Sequence, residues 1–140
     1  MISVVLRAKN EAAWIGRCLT ALKHQRVKDI DVILVDNDST DDTLPIAEAY
    51  GVNIQYISRA EFSYGRALNI GIAAAKYDTV ALISSHCVPV DELWADYLLA
   101  HLGPNGDPKL CGIYGRQEPL PDTSAIDRRD LWTTFRDERV

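Results

Sequence analysis

Long apolar runs, paired cysteines, glycine-rich phosphate loops and an excess of positive charge are all missing from this 140-residue chain. No apolar stretch approaches the roughly 20 residues that a membrane-spanning helix needs. Cys18, Cys87 and Cys111 form an odd, widely spaced set, which fits neither a disulfide framework nor a Cys-x-x-Cys metal pattern. A reducing cytoplasm is the setting expected from them. Neither Gly-x-Gly-x-x-Gly nor Gly-x-x-x-x-Gly-Lys-Ser/Thr occurs, so any phosphate must be held by other groups. A formal net charge of −5 and a pI near 5.1 remove general attraction to nucleic acid or anionic lipid. Met1 is followed at once by Ile2-Ser3-Val4-Val5-Leu6, which leaves no space for a secretory leader with its basic segment and cleavage site.

What remains is a composition of 47% hydrophobic and 25% charged residues, enough to bury a core and too apolar for a disordered chain. Apolar runs alternate with segments of helical period. Ile2–Leu6 reads as a strand, and residues 11 to 25 as a helix with Trp14, Ile15, Cys18, Leu19 and Leu22 on one face and Asn10 as N-cap. The β-branched run Asp31–Val35 predicts a strand buried on both faces, as in parallel sheets. Ser39 and Asp42 have the spacing of a capping box for a short helix reaching Tyr50. A third strand is expected at Asn53–Ile57, then a helix from Tyr64 to Lys76 with Leu68, Ile72 and Ala75 inward and Gly71 allowing close packing. Thr79–Ile83 is the fourth strand, and residues 91 to 102 a helix with the core stripe Leu93, Trp94, Tyr97, Leu98 and Leu102. A breaker-rich loop, Gly103 to Pro108, precedes a further strand candidate, Leu110–Tyr114.

The β-α-β-α-β-α-β order implies an α/β layer fold with right-handed crossovers and ligands beyond the carboxyl ends of the strands. Three such ends turn polar after an apolar strand: Arg7-Ala8-Lys9-Asn10-Glu11, Asp36 to Thr43, and Ser84-Ser85-His86-Cys87-Val88-Pro89. Polar groups gathered at one edge of a parallel sheet have the shape of a nucleotide pocket.

In their order and spacing these segments resemble the family 2 glycosyltransferases of the GT-A fold, bacterial members included. The opening strand with Asn10-Glu11, the helix with Arg17-Cys18-Leu19 and Gln25, the run Val35-Asp36-Asn37-Asp38-Ser39-Thr40-Asp41-Asp42-Thr43, and Arg66-Ala67-Leu68-Asn69-Ile70-Gly71 carry the resemblance over residues 2 to 102. It implies a Rossmann-like three-layer sandwich with a mainly parallel sheet, incomplete at its C-terminus. Residues 1–115 would form the nucleotide-sugar-binding region and 116–140 the start of an acceptor-side region. The implied activity is inverting transfer of a sugar from a nucleotide-diphosphate sugar, UDP- or dTDP-linked, to a glycan or lipid-linked acceptor. An acceptor of that kind would bring a cytoplasmic protein to the inner face of the membrane; a homodimer is a further arrangement open to it, and no nucleic acid is expected.

The donor pocket implied by this resemblance comprises Ala8, Asn10, Glu11, Asp36, Asp38, Arg66, Asn69, Ser85 and His86. Asp36 suits the ring N–H of uracil or thymine and the ribose hydroxyls, because a carboxylate accepts charge-assisted hydrogen bonds. Ordinary turn and helix-cap chemistry accounts equally for the polar residues from Asp36 to Asp42. The family's Asp-x-Asp metal motif is replaced here by Ser84-Ser85-His86. An imidazole can still hold Mn²⁺, whereas Mg²⁺ prefers oxygen ligands, so His86 is the one candidate metal ligand. His86 could instead donate a hydrogen bond to a phosphate, or be satisfied locally in its loop. Arg66 and Arg116 are candidates for gripping diphosphate oxygens, although surface arginines are common. Trp132, Phe135 and their charged neighbours read either as an amphipathic terminal helix or as a contact surface.

Inverting members place a catalytic carboxylate well beyond this point, so the chain is expected to bind donor with little transfer of its own. Two rivals stand beside this reading. One is a non-catalytic α/β module for a nucleotide sugar or a protein partner. The other is a haloacid-dehalogenase-type phosphatase, whose Asp-x-Asp-x-Thr nucleophile motif is matched by Asp36, Asp38 and Thr40.

Overall fold

A computed structural model describes residues 1–103, 105–121 and 123–134. Pro104 of the expected breaker loop and Phe135 of the terminal segment lie outside these. Two compact units are present, Met1–Leu110 and Cys111–Val140, so the division falls five residues ahead of the expected 115/116 boundary.

The first unit is built on four strands, β1 (Ile2–Ala8), β2 (Ile30–Asp36), β3 (Asn53–Tyr56) and β4 (Val80–Ser84). All pair in parallel, in the order β3-β2-β1-β4. Alternate residues of the central strands serve opposite faces. Val4, Leu6 and Leu34 pack with Ile15, Cys18, Leu19 and Leu22 of α1 (Ala12–Lys23) and Ala47 of α2 (Thr43–Ala49). Val5, Ile33 and Val35 pack with Ala67 of α3 (Tyr64–Ala73) on the other face. A continuous apolar run is what burial on both faces demands, and the parallel sheet between two helical layers is the fold expected from the alternating pattern. Each aliphatic side chain buried there contributes about 1.5–3 kcal/mol relative to exposure.

The order of strand addition reverses at β1, because β2 and β3 are added on one side of β1 and β4 on the other. The carboxyl ends of β1, β2 and β4 therefore share one edge, with the switch point between β1 and β4.

Several local expectations are corrected. Glu11, not Asn10, is the N-cap of α1, and Asp42, not Ser39, precedes α2 without a side-chain capping bond. Ser39 instead accepts a hydrogen bond from the Asn10 N–H. Ile72 is exposed, and the residues of α3 that bury are Ala67 and Gly71; Tyr97 of α4 (Trp94–Leu102) is likewise exposed, with Ala95 buried in its place. In both cases the helix approaches through its small residues, which turns the large apolar positions sideways. Residues 110 to 114 form no strand, and Leu110, Ile113 and Tyr114 are exposed. In the second unit α5 (Ala125–Thr134) starts from Ser124, whose Oγ accepts from the Asp127 N–H, and none of its residues is buried. No helix among the described residues is long and apolar enough to cross a membrane.

Two interactions fix the helices on the sheet. A Cβ at Gly71 would lie 2.3 Å from Val5 Cγ1, 3.2 Å from Val5 Cγ2 and 3.1 Å from Val35 Cγ2. Turning Val5 alone leaves the 3.1 Å contact with Val35 in place. Gln25 is buried, donating from Nε2 to the Asp91 carbonyl (2.6 Å) and accepting at Oε1 from the Ala95 N–H (3.0 Å). A side chain at the end of α1 thus caps the first turn of α4, which has no cap of its own.

Gly71→Ala is expected to lower stability by about 1–3 kcal/mol through overpacking, whereas Gly65→Ala, with open space around its Cβ, stabilises by up to about 1 kcal/mol; thermal melts of the two variants show opposite shifts. Gln25→Ala leaves the Ala95 N–H and the Asp91 carbonyl without partners at a cost of about 1–3 kcal/mol. Its local mark is faster hydrogen exchange at Ala95, read by NMR.

Candidate functional site

The polar edge is formed by the loops after β1, β2 and β4, and most of its side chains are engaged with one another. The β1 loop enters α1 through Asn10, whose φ of 54° puts it in the left-handed region that asparagine tolerates. The N–H groups of Asn10, Glu11 and Ala12 have no helical acceptor. They donate to Ser39 Oγ (3.0 Å), Thr43 Oγ1 (2.8 Å) and Asp41 Oδ2 (3.0 Å), from the β2 loop and the first residue of α2. Asn10 returns the contact by accepting at Oδ1 from the Thr40 N–H (2.8 Å), and the Lys9 ammonium donates to the Asp38 carbonyl. The Asp41 carboxyl is held below the usual range, first by the Thr43 hydroxyl and also by the Ala12 and Thr43 N–H groups.

Asp38, at φ 50°, directs Oδ2 to the Arg59 N–H (2.7 Å) in the loop after β3. The run from Asp38 to Thr43 is thus a clasp between loops. Asp36 differs. It is buried, one carboxylate oxygen accepts from the Ser39 N–H (3.1 Å), and the other, Oδ1, is shielded from solvent with no partner among the described residues. A buried acceptor in that condition costs about 1–3 kcal/mol or more until a donor reaches it.

The switch point carries a second group of side chains. Ser85 is buried and its hydroxyl donates to the Arg7 carbonyl (2.7 Å), joining β4 to β1. The Arg7 guanidinium donates from Nη2 to Ser84 Oγ (3.3 Å) and lies 4.7 Å from the centre of the Tyr64 ring. His86 approaches Glu11 across 75 residues of sequence, with Nδ1 2.8 Å from Oε1. Its side chain is 55% exposed and that of Glu11 only 19%, so the carboxylate is the anchored member. Burial raises the thiol pKa of neighbouring Cys87, and pushes that of Cys18 up to about 12. Neither is a ready thiolate nucleophile.

Of the sequence-predicted residues, Glu11 and His86 are brought into direct contact, and Asp36 keeps a carboxylate oxygen uncommitted. Asn10, Asp38 and Ser85 spend their side-chain oxygens on other loops and strands, and the Ala8 carbonyl accepts from the Asn37 N–H (3.0 Å). Arg66 is exposed and pairs with Glu61 (3.3 Å), while Asn69 stands exposed one turn further along α3. Arg116 lies 3.4 Å from Glu118 within the second unit. Arg7 and Tyr64 were not among the expected residues. Arg7 is the penultimate residue of the largely apolar β1, on the face that packs against α3, and that parity is the signal that could have singled it out. A shallow groove of about 650 Å³ runs elsewhere, along α1 past Gly16, Thr20 and Tyr50, where the Tyr50 and Thr20 hydroxyls already bond each other (2.6 Å).

No group of three or more His, Cys, Asp or Glu side chains able to enclose a metal occurs among the described residues. His86 offers a single nitrogen, so an ion could settle here only with oxygens brought by its ligand. The phosphatase reading is corrected on the same ground: Asp38 is turned to the Arg59 N–H, and no acidic cluster able to hold Mg²⁺ occurs among the described residues.

Comparison with known proteins agrees with this arrangement. Residues 3–135 match the profile of Glycosyl transferase family 2. Hyaluronan synthase of Pasteurella multocida is 28% identical over 135 residues, covering 93% of this chain and 13% of its own length. The O-antigen chain rhamnosyltransferase WbaN of Salmonella anatum is 29% identical over 107 residues, 76% of this chain and 33% of its own. Among solved structures, glucosyl-3-phosphoglycerate synthase from Mycobacterium tuberculosis, in complex with Mn²⁺, UDP and glucosyl-3-phosphoglycerate, superposes with a TM-score of 0.62 at 30% identity, covering 76% of this chain and 40% of that one. The chain spans 40% or less of the length of the curated relatives it matches first. With its parallel sheet, its polar strand ends and a profile match over nearly its whole length, the chain belongs to glycosyl transferase family 2.

Proposed function

We propose that this chain is the donor-binding part of an inverting glycosyltransferase that uses a nucleotide-diphosphate sugar, UDP- or dTDP-linked, for transfer to a glycan or lipid-linked acceptor. The observation that carries this reading is the uncommitted Oδ1 of buried Asp36 at the carboxyl edge of the sheet. The N3–H of uracil or thymine, or a ribose hydroxyl, is the kind of donor that relieves it, with a charge-assisted bond. Ser39 holds the other oxygen, so the free one has a set direction.

From Asp36 the diphosphate would extend toward the switch point between β1 and β4, where Arg7 and His86 stand. His86 is the residue that would hold a divalent cation, and its nitrogen suits Mn²⁺ better than Mg²⁺. Such an ion supplies charge neutralisation for the departing diphosphate. Arg66 and Asn69, one turn apart on α3, are proposed to flank the donor. Activation of the acceptor hydroxyl is assigned to residues outside this chain. A peripheral position at the inner membrane face and a homodimer belong to the same proposal.

A second reading, a module that binds donor without transferring sugar, draws on the absence of a three-residue metal cluster among the described residues. Donor turnover by the whole protein separates the two, since release of free UDP with a glycosylated product excludes the module.

Calorimetry with UDP and CDP tests base recognition, because cytosine has no proton at N3. The wild-type chain is expected to prefer UDP. Asp36→Ala should weaken UDP binding by about tenfold to a hundredfold, the equivalent of a charged hydrogen bond, and abolish the preference. Equal affinity for UDP and CDP in the wild type would refute the assignment of Asp36 to the base.

A further inference from the structure

The contact between Glu11 and His86 does more than tie two loops together. A neutral imidazole carries its proton on one nitrogen, and the partner of that nitrogen decides which. Glu11 Oε1 stands 2.8 Å from Nδ1, and a carboxylate can only accept, so the proton is placed on Nδ1. Nε2 is then left with its lone pair, on a side chain that is 55% exposed. Glu11 is itself well anchored. Its backbone N–H is held by Thr43 Oγ1 (2.8 Å), its carbonyl accepts from the N–H groups of Trp14 and Ile15 (both 2.9 Å), and its side chain is mostly covered.

We infer that Glu11 is a positioning residue that locks His86 in the Nδ1–H tautomer, so that Nε2 serves as a lone protein nitrogen for a Mn²⁺-class cation bound together with a nucleoside diphosphate. The inference deepens the donor-site reading above and rests on it. A carboxylate behind a histidine orients the ring and raises the basicity of its free nitrogen, and loss of such a partner costs about tenfold to a hundredfold in metal affinity. The arrangement also explains how a strand end without its two acidic residues can keep cation chemistry. Fewer protein ligands mean that the ion enters with its ligand's phosphate oxygens, not ahead of them.

The first readout needs neither metal nor activity. Long-range ¹⁵N–¹H spectra of the protein at about pH 8, where an ordinary imidazole is neutral, report the tautomer directly. His86 is expected as Nδ1–H in the wild type and as the Nε2–H form favoured by free histidine in Glu11→Ala. The second readout is UDP affinity by calorimetry with and without Mn²⁺. Mn²⁺ should strengthen UDP binding to the wild type, and that gain should fall by about tenfold or more in Glu11→Ala, at least as far in His86→Ala, and no further in the double variant than in His86→Ala.

An Nε2–H tautomer in the wild type overturns the inference, whether or not the alanine variants fold. So does a Mn²⁺ gain that is absent from the wild type, or unchanged in Glu11→Ala while UDP still binds. A further loss in the double variant would mean that Glu11 touches the ion itself, which also refutes the positioning role. Failure of UDP to bind the wild type at all defeats the donor-site reading instead.

Discussion

The site depends on the clasp between the loops after β1 and β2. A helix begins with N–H groups that its own backbone cannot satisfy, and α1 begins at the edge of a sheet where no neighbouring strand can help. The β2 loop and the start of α2 supply the missing acceptors through Ser39, Asp41 and Thr43, and the loop receives the Asn10 amide oxygen in return. Once those bonds are made, the carboxylate of Asp36 is fixed on one side and the Glu11 backbone on the other. Everything with chemical potential at this edge sits on a frame that the clasp makes rigid.

This division of labour changes how the acidic run from Asp36 to Asp42 is understood. Its polar residues look interchangeable in the sequence, and capping or turn formation accounts for any of them. In the fold, Asp38 and Asp41 satisfy backbone groups on neighbouring loops, whereas Asp36 and its neighbour Asn37 each retain a buried side-chain oxygen without a partner among the described residues, and of the two only Asp36 carries a charge there. Arg7 places a guanidinium at the same edge, between Ser84 and the face of Tyr64.

The strands were legible because burial on both sheet faces forces a continuous apolar run, and Asp31–Val35 shows that pattern in its purest form. Helix faces were less so. Ile72 and Tyr97 were expected inward on size, but α3 and α4 approach through Gly71 and Ala95, and close approach displaces the larger neighbours to the flank. The N-cap of α1 was misplaced by one residue because its acceptors lie about thirty positions away in the β2 loop, beyond any local pattern. The same holds for the contact of Glu11 with His86. Both residues stood in the candidate set, yet only the parallel pairing of β1 with β4 brings them together. Residues 110 to 114 have the apolar content of a strand without an available ladder, and composition cannot reveal that.

The Gln25 bridge bears on the order in which the molecule is assembled. During synthesis the chain emerges from its amino end, and β1, α1 and β2 can collapse together long before residues 91 to 95 leave the ribosome. Over that interval the Gln25 amide has no permanent partner and must stay hydrated at the end of α1. Arrival of the Asp91 carbonyl and the Ala95 N–H dries that position and seats α4 in one step. The last helix of this unit is thus placed by a residue translated 70 positions earlier, which makes completion of the layer a latch on work already done.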